Sequence, residues 1–205
     1  RISGSGMGCP DWPKCFGQWI PPTDSSALPA DYKDIYLEKR EKKVDKFSSF
    51  LSTLGMSEQA QELKSDPSIY VEENFNAQKT WVEYVNRLLG FLAGNFMLIA
   101  FLWMLFFYRS SGLVFIAFGN LILMAIEAWF GSIVVATNLL PWTITIHMLL
   151  ALVIIAVQIY ILYRISPLLQ RKVQVPKWML TAVWLIFLIT FYQMFLGTQV
   201  REDID

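Results

Sequence analysis

The chain is short of charge and shorter still of histidine and cysteine. Asp, Glu, Lys and Arg make up 17% of its 205 residues and sum to a formal net charge of zero. The basic residues are scattered, with no face rich in both Arg and aromatics, so nothing points to a nucleic-acid partner. The two cysteines, Cys9 and Cys15, lie six apart in CPDWPKC, a spacing that matches neither a CxxC redox motif nor a zinc site. There is no visible signal peptide. The chain opens at Arg1, without methionine, in a Gly/Ser-rich turn, and we expect a segment upstream of it.

Apolar sequence fills the space that charge leaves. Hydrophobic residues make up 55% of the chain and aromatics 15%, too apolar for an ordinary soluble domain. The excess sits in four runs, Leu88–Tyr108, Gly112–Ala136, Leu139–Tyr163 and Trp178–Gly197. Each is near the roughly 20 residues that cross a bilayer core, and a chain crossing lipid must satisfy its own backbone as a helix. The fold class expected is therefore all-α integral membrane.

Short-loop charges give an orientation. Arg109 lies between the first two runs, and Arg164, Arg171, Lys172 and Lys177 lie between the last two. The connection Thr137–Leu139 has no positive charge. Basic short loops stay in the cytoplasm, which puts residues 1–80 and the tail Arg201–Asp205 on the other side. Three regions follow: an extracytoplasmic loop (1–80) with an inserted helical hairpin (24–79), spans over 81–177, and a last span over 178–205. In the hairpin, Asp31–Leu54 carries an apolar stripe of Val44, Phe47, Leu51 and Leu54. Gly55 ends that helix, Ser57 caps a second one over Glu58–Lys64, and Asp66–Pro67 stops it. The charged faces read as solvated.

On the extracytoplasmic side, Cys9 and Cys15 would meet an oxidising compartment, where a disulfide is the simplest outcome. Two roles stay open: a staple closing a Pro-rich loop, or a redox pair feeding electrons to a site in the membrane. In WVEYVNRLLGFLAGN, the residues Glu83, Asn86, Arg87, Gly90 and Gly94 share one helix face. Glycines on that face allow close approach of either a neighbouring helix or a flat ligand. Glu127 lies in the second run, and His147 in the third, on a face with Thr143 and Ala151. An ionisable residue in hydrocarbon marks a functional site by default. With the orientation above, Glu83, Asn86, Arg87 and His147 fall in one layer near the extracytoplasmic surface. The runs EAWFGSIVV (127–135) and QMFLGTQV (193–200) echo each other, and Val200–Arg201–Glu202 parallels Arg1–Ile2–Ser3. A repeat with its site at the repeat interface is the expectation.

The run RISGSGMGCPDWPKCFGQWIPP, with YKDIY, WVEYVNRLLG, GSIVVATNL and the in-helix His147, resembles the heme A synthase family, in particular bacterial members with a long first outer loop. That resemblance implies an eight-helix bundle of two pseudo-twofold four-helix halves, with four helices visible here and the first helix and most of the second half missing. It implies oxidation of the C8 methyl of heme o to the formyl of heme a for cytochrome oxidase, in the bacterial inner membrane. Heme o and membrane lipid would be its partners, with heme o synthase, cytochrome oxidase assembly factors and further copies of the chain besides. Heme b would sit in the second half, and this piece alone would be inactive. By motif, Glu83 would be the catalytic acid and His147 the heme-iron ligand. Asn86, Arg87, Gly90, Gly94 and Glu127 would line the heme pocket, with Arg87 pairing a propionate or Glu83. Asn86 stands where the family motif EYxHR has histidine. Three arrangements stay open: His147 alone on iron, Glu83 or a water as sixth ligand, or a position left free for oxygen. The alternatives are a membrane thiol oxidoreductase using Cys9 and Cys15, and a non-catalytic assembly subunit.

Overall fold

A computed structural model describes residues 8–11, 14–70, 74–108, 111–167, 170 and 175–199. Arg109, Arg171 and Lys172 of the basic loops lie outside the described residues. So do Arg1–Ile2–Ser3 and Val200–Arg201–Glu202 of the internal echo, and the tail beyond.

Among the described residues lie six α-helices: α1 (Tyr32–Thr53), α2 (Ser57–Ser65), α3 (Ala77–Trp103), α4 (Ser111–Ala136), α5 (Pro141–Ile165) and α6 (Lys177–Gln199). A π turn, Met104–Tyr108, extends α3. Among the described residues, four segments are long and apolar enough to cross a membrane: Ala77–Tyr108, Gly112–Ala136, Pro141–Ile165 and Lys177–Met194. With no strand among the described residues, the protein is an all-α membrane protein. The first span starts eleven positions before the apolar run does, because Asn76 caps it: its Oδ1 accepts from Lys79 N–H at 3.1 Å. Pro141, suited to a first helical turn, starts α5 two residues later than the apolar run.

The helices fall into two compact units, Arg1–Ile99 with Ala125–Leu140, and Ala100–Met124 with Pro141–Asp205. In the first, α1 and α2 close as the expected hairpin over Val44, Phe47, Leu51, Ala60, Leu63 and Ile69, all buried. Burial of each large side chain in that set contributes roughly 1.5–3 kcal/mol. Ser48 Oγ donates to Ala60 O at 2.9 Å across the hairpin, and Lys64 pairs with Asp45 at its edge.

Three details of the hairpin correct the sequence reading. Leu54 is exposed, because α1 ends at Thr53 and Gly55 at φ +83° turns the chain away from the stripe. Ser57 is the first residue of α2 rather than its cap; the cap position is Met56. Nor are all the charges solvated: Arg40 is buried and donates to Ile69 O at 2.9 Å, holding the 3-10 turn Pro67–Tyr70 against α1.

The same unit takes in the end of α4. Phe47 and Phe50 stand edge-on to Trp129, and Phe47 to Phe130, at centroid distances of 5.8–6.5 Å. Phe130, Ile133, Val134 and Ala136 are buried there. Thr137–Leu140 then closes the helix end, Leu139 N–H donating to Val134 O at 2.9 Å, with Asn138 and Leu139 both at positive φ.

In the second unit, Met104, Leu113, Ala117 and Ile161 form a core with Phe101 and Val157 packed on it. Asn120 is fully buried beside it and donates from Nδ2 to Ile154 O at 3.3 Å, tying α4 to α5. No residue of the α6 span is buried, so its Trp184, Ile186 and Leu188 offer a wholly apolar surface.

Candidate functional site: a disulfide loop clasped to the first span

The site grows from a tight reversal near the start of the chain. Cys15 and Gln18 exchange backbone hydrogen bonds of 2.8 and 3.1 Å around Phe16 and Gly17, which both have positive φ, 53° and 75°. Two such residues make the turn whose twist suits a two-residue hairpin. Phe16 takes that backbone without being glycine, and two anchors hold it there. The Asp11 carboxylate accepts from Phe16 N–H at 2.7 Å and Gly17 N–H at 2.9 Å. The Phe16 ring stands edge-on to Tyr32, Tyr36 and Phe75, with centroids 5.4–6.0 Å away.

The Cys9–Cys15 disulfide closes this loop, with S–S 2.03 Å and both residues fully buried. The loop is then fastened to the first turns of α3. Gly8 N–H and Cys9 N–H donate to Glu83 Oε2 at 2.6 and 3.1 Å. Arg87, one helical turn on, donates to Glu83 Oε1, to Cys9 O and to Asp11 O. Thr80 Oγ1 donates to Gly8 O at 2.9 Å. At Gly8 the two backbones are nearly in contact, since a Cβ there would lie 2.6 Å from both Thr80 Cα and Thr80 N. Tyr84 OH reaches Trp19 O at 2.7 Å, on the far side of the turn.

Glu83 and Arg87 thus form an i,i+4 pair, the carboxylate side chain 7% exposed and the guanidinium 18%. Every partner of the carboxylate is a donor, and every partner of the guanidinium is an oxygen, so both charges are satisfied locally. Of the two partners expected for Arg87, the structure gives Glu83. The cleft beside the loop, lined by Gly8, Phe16, Tyr36, Phe75 and Thr80 among others, measures about 20 Å³. That is room for a water, not for a macrocycle.

The other sequence-predicted residues stand in differing surroundings. Asn86 is exposed: one residue before Arg87, it sits some 100° away from it on the helix circumference. Gly90 is exposed, with nothing within 4 Å of a Cβ built on it, and Gly94 is half-buried. Glu127 is buried in the first unit, and His147 is half-buried in the second, near the start of α5 beside a fully buried Thr143. Sequence reasoning missed Gly8, Asp11 and Thr80, which build the clasp, and Asn120, the lone amide in VFIAFGNLIL, whose isolation in an apolar run was a usable signal.

Four apolar spans among the described residues, the first headed by a charged clasp that holds a disulfide loop, define a multi-pass membrane protein. Residues 50–205 match the sequence profile of the cytochrome oxidase assembly protein family, COX15-CtaA, and the chain belongs to that family. Among curated proteins it is similar to the heme A synthases of two Bradyrhizobium strains, ORS 278 and BTAi1. Each is 30% identical over 127 residues, covering 58% of this chain and 34% of the relative. The chain spans about a third of the length of those relatives. No solved structure matches it.

Proposed function

We propose that the protein carrying this chain is a heme A synthase, oxidising the C8 methyl of heme o to a formyl group. The observation that carries the reading is the family match over residues 50–205, a stretch holding Glu83, Arg87, Glu127 and His147. The relatives named heme A synthase point the same way. His147, the chain's one histidine, would bind the iron of the substrate heme, and a single imidazole suffices for an axial bond. Among the described residues no cluster of three or more His, Cys, Asp or Glu could hold a separate metal ion. Heme b would belong to parts of the protein that this chain does not contain.

The chain's own residues have defined tasks in this reading. Glu83, whose Oε2 accepts from Cys9 N–H of the disulfide loop at 3.1 Å, would stabilise positive charge developing on an oxidised methyl or take its proton. Arg87, which donates to that carboxylate, would hold it in place as a positioning residue. Residues 1–80 would lie outside the cytoplasm of a bacterial inner membrane, where the loop stays oxidised. Burial of both cysteines weighs against the thiol-oxidoreductase reading, since thiol exchange needs an accessible sulfur.

The test is heme extraction and chromatography from membranes expressing the full-length protein with a heme o supply. Wild type is expected to accumulate heme a. Glu83→Gln, which keeps the shape and removes the charge, should lower conversion by about two orders of magnitude, the scale of losing one preorganised charge. His147→Ala should abolish conversion while the protein remains in the membrane. Full conversion by both variants would leave the assembly-subunit reading in its place.

A further inference from the structure

We propose that the N-terminal segment is seated on the membrane itself, through two apolar lips that rest in the lipid of the adjoining leaflet: Trp19–Ile20 on one side and Phe50–Leu54 on the other. All four side chains are exposed, Ile20 by 67% and Leu54 by 59%. Isolated exposed hydrophobes are ordinary, but these are paired and each pair contacts a membrane span. Trp19 is joined to the first span by the Tyr84 hydroxyl on its carbonyl, and Val82 and Val85 beside Tyr84 are themselves exposed. Phe50 stands edge-on to Trp129 of the second span, 5.8 Å between centroids, and Trp129 is half exposed.

Both lips belong to the same compact unit as these stretches of α3 and α4. On each span, exposed apolar side chains, Val82 and Val85 on the first and Trp129 on the second, lie next to the contact that carries the lip. The lips' chemistry suits the region between headgroup and acyl chain: aromatic rings at their edge, and Lys14 stacked over the Trp19 ring at 5.6 Å. Direct contact of each lip with a membrane-span residue is what selects lipid as the occupant over a soluble partner.

The measurement uses the full-length protein in nanodiscs of phosphatidylcholine and phosphatidylglycerol. Ile20→Cys, Leu54→Cys and Lys42→Cys are labelled one at a time with bimane, the native cysteines being buried in their disulfide. Lys42 pairs with Glu38 on the hairpin's charged, exposed side. All three positions are exposed, so the labels do not challenge folding. Doxyl-labelled phosphatidylcholine is expected to quench positions 20 and 54 several-fold more than position 42, with aqueous iodide giving the reverse order. Quenching by iodide but not doxyl lipid at 20 and 54 would overturn the proposal. Protection from both quenchers would overturn it too, by showing that protein covers the lips.

Discussion

At Tyr36 two effects act in the same direction. Its phenol is buried in the aromatic cluster around Phe16, and the Asp11 carboxylate adds a repelling charge. Together they push its pKa from 10.0 to about 12, with burial the larger cause. A raised folded pKa leaves stability intact below pH 10. As pH rises from 10 towards 12 the unfolded chain releases this proton while the folded chain keeps it, and stability falls across that window. Ultraviolet titration should show a late-ionising tyrosine phase that is lost in Tyr36→Phe. Tyr70, also pushed up by burial, would account for any late phase that remains. Ionisation of all tyrosines in one step near pH 10 would contradict the buried placement. The residue scale is also where sequence reading was most uneven. Glu83 and Arg87 stood out because a charge pair in an apolar helix needs a reason. Their partners Gly8 and Cys9, more than 70 positions away, leave no periodic trace of the contact. The shared helix face also grouped Asn86 with them, although its side chain turns to the surface.

Among elements, the spans and the hairpin were legible because both rest on repetition. An apolar run of bilayer length and an apolar stripe at helical spacing each sum many weak preferences. The clasp is a different kind of structure, a single close approach between a non-repetitive loop and a helix end. It depends on glycine at position 8, and that yields a prediction. Gly8→Ala places a methyl 2.6 Å from Thr80 backbone atoms that cannot move without unwinding the cap of α3, so the loop must lift instead. Lifting it removes the Gly8 and Cys9 donors from Glu83 and leaves a buried carboxylate short of partners, at a cost of about 1–3 kcal/mol. The disulfide, fully buried in the wild type, should then become reducible. Maleimide gel-shift after mild phosphine treatment is expected to label Gly8→Ala rapidly and wild type slowly. Equal rates would show that the clasp does not protect the loop. Gly17→Ala, at φ +75° with open space around it, should strain the turn by about 1 kcal/mol without exposing the disulfide, which separates backbone strain from loss of the clasp.

For the whole molecule the open quantity is direction across the membrane, and here charge and chemistry can be set against each other. Arg164 sits in the last turn of α5, and Lys177 opens α6, so the described ends of the third connection carry positive charge. The described turn Thr137–Leu140 between α4 and α5 has none. In the proposed orientation, which follows the positive-inside rule, the clasp, the hairpin and the disulfide would lie outside the cytoplasm, the side that favours an enduring disulfide. Two independent arguments, one from lysine and arginine and one from redox compartment, support that proposed orientation. Membrane-impermeant maleimide on intact spheroplasts tests it: Lys42→Cys on the hairpin should label at once, and Ser166→Cys, just past α5, only after lysis. The opposite pattern would put the clasp in a reducing compartment. Cys9–Cys15 would then have to be maintained by burial alone, and the loop that holds Glu83 would lose the compartment that keeps it closed.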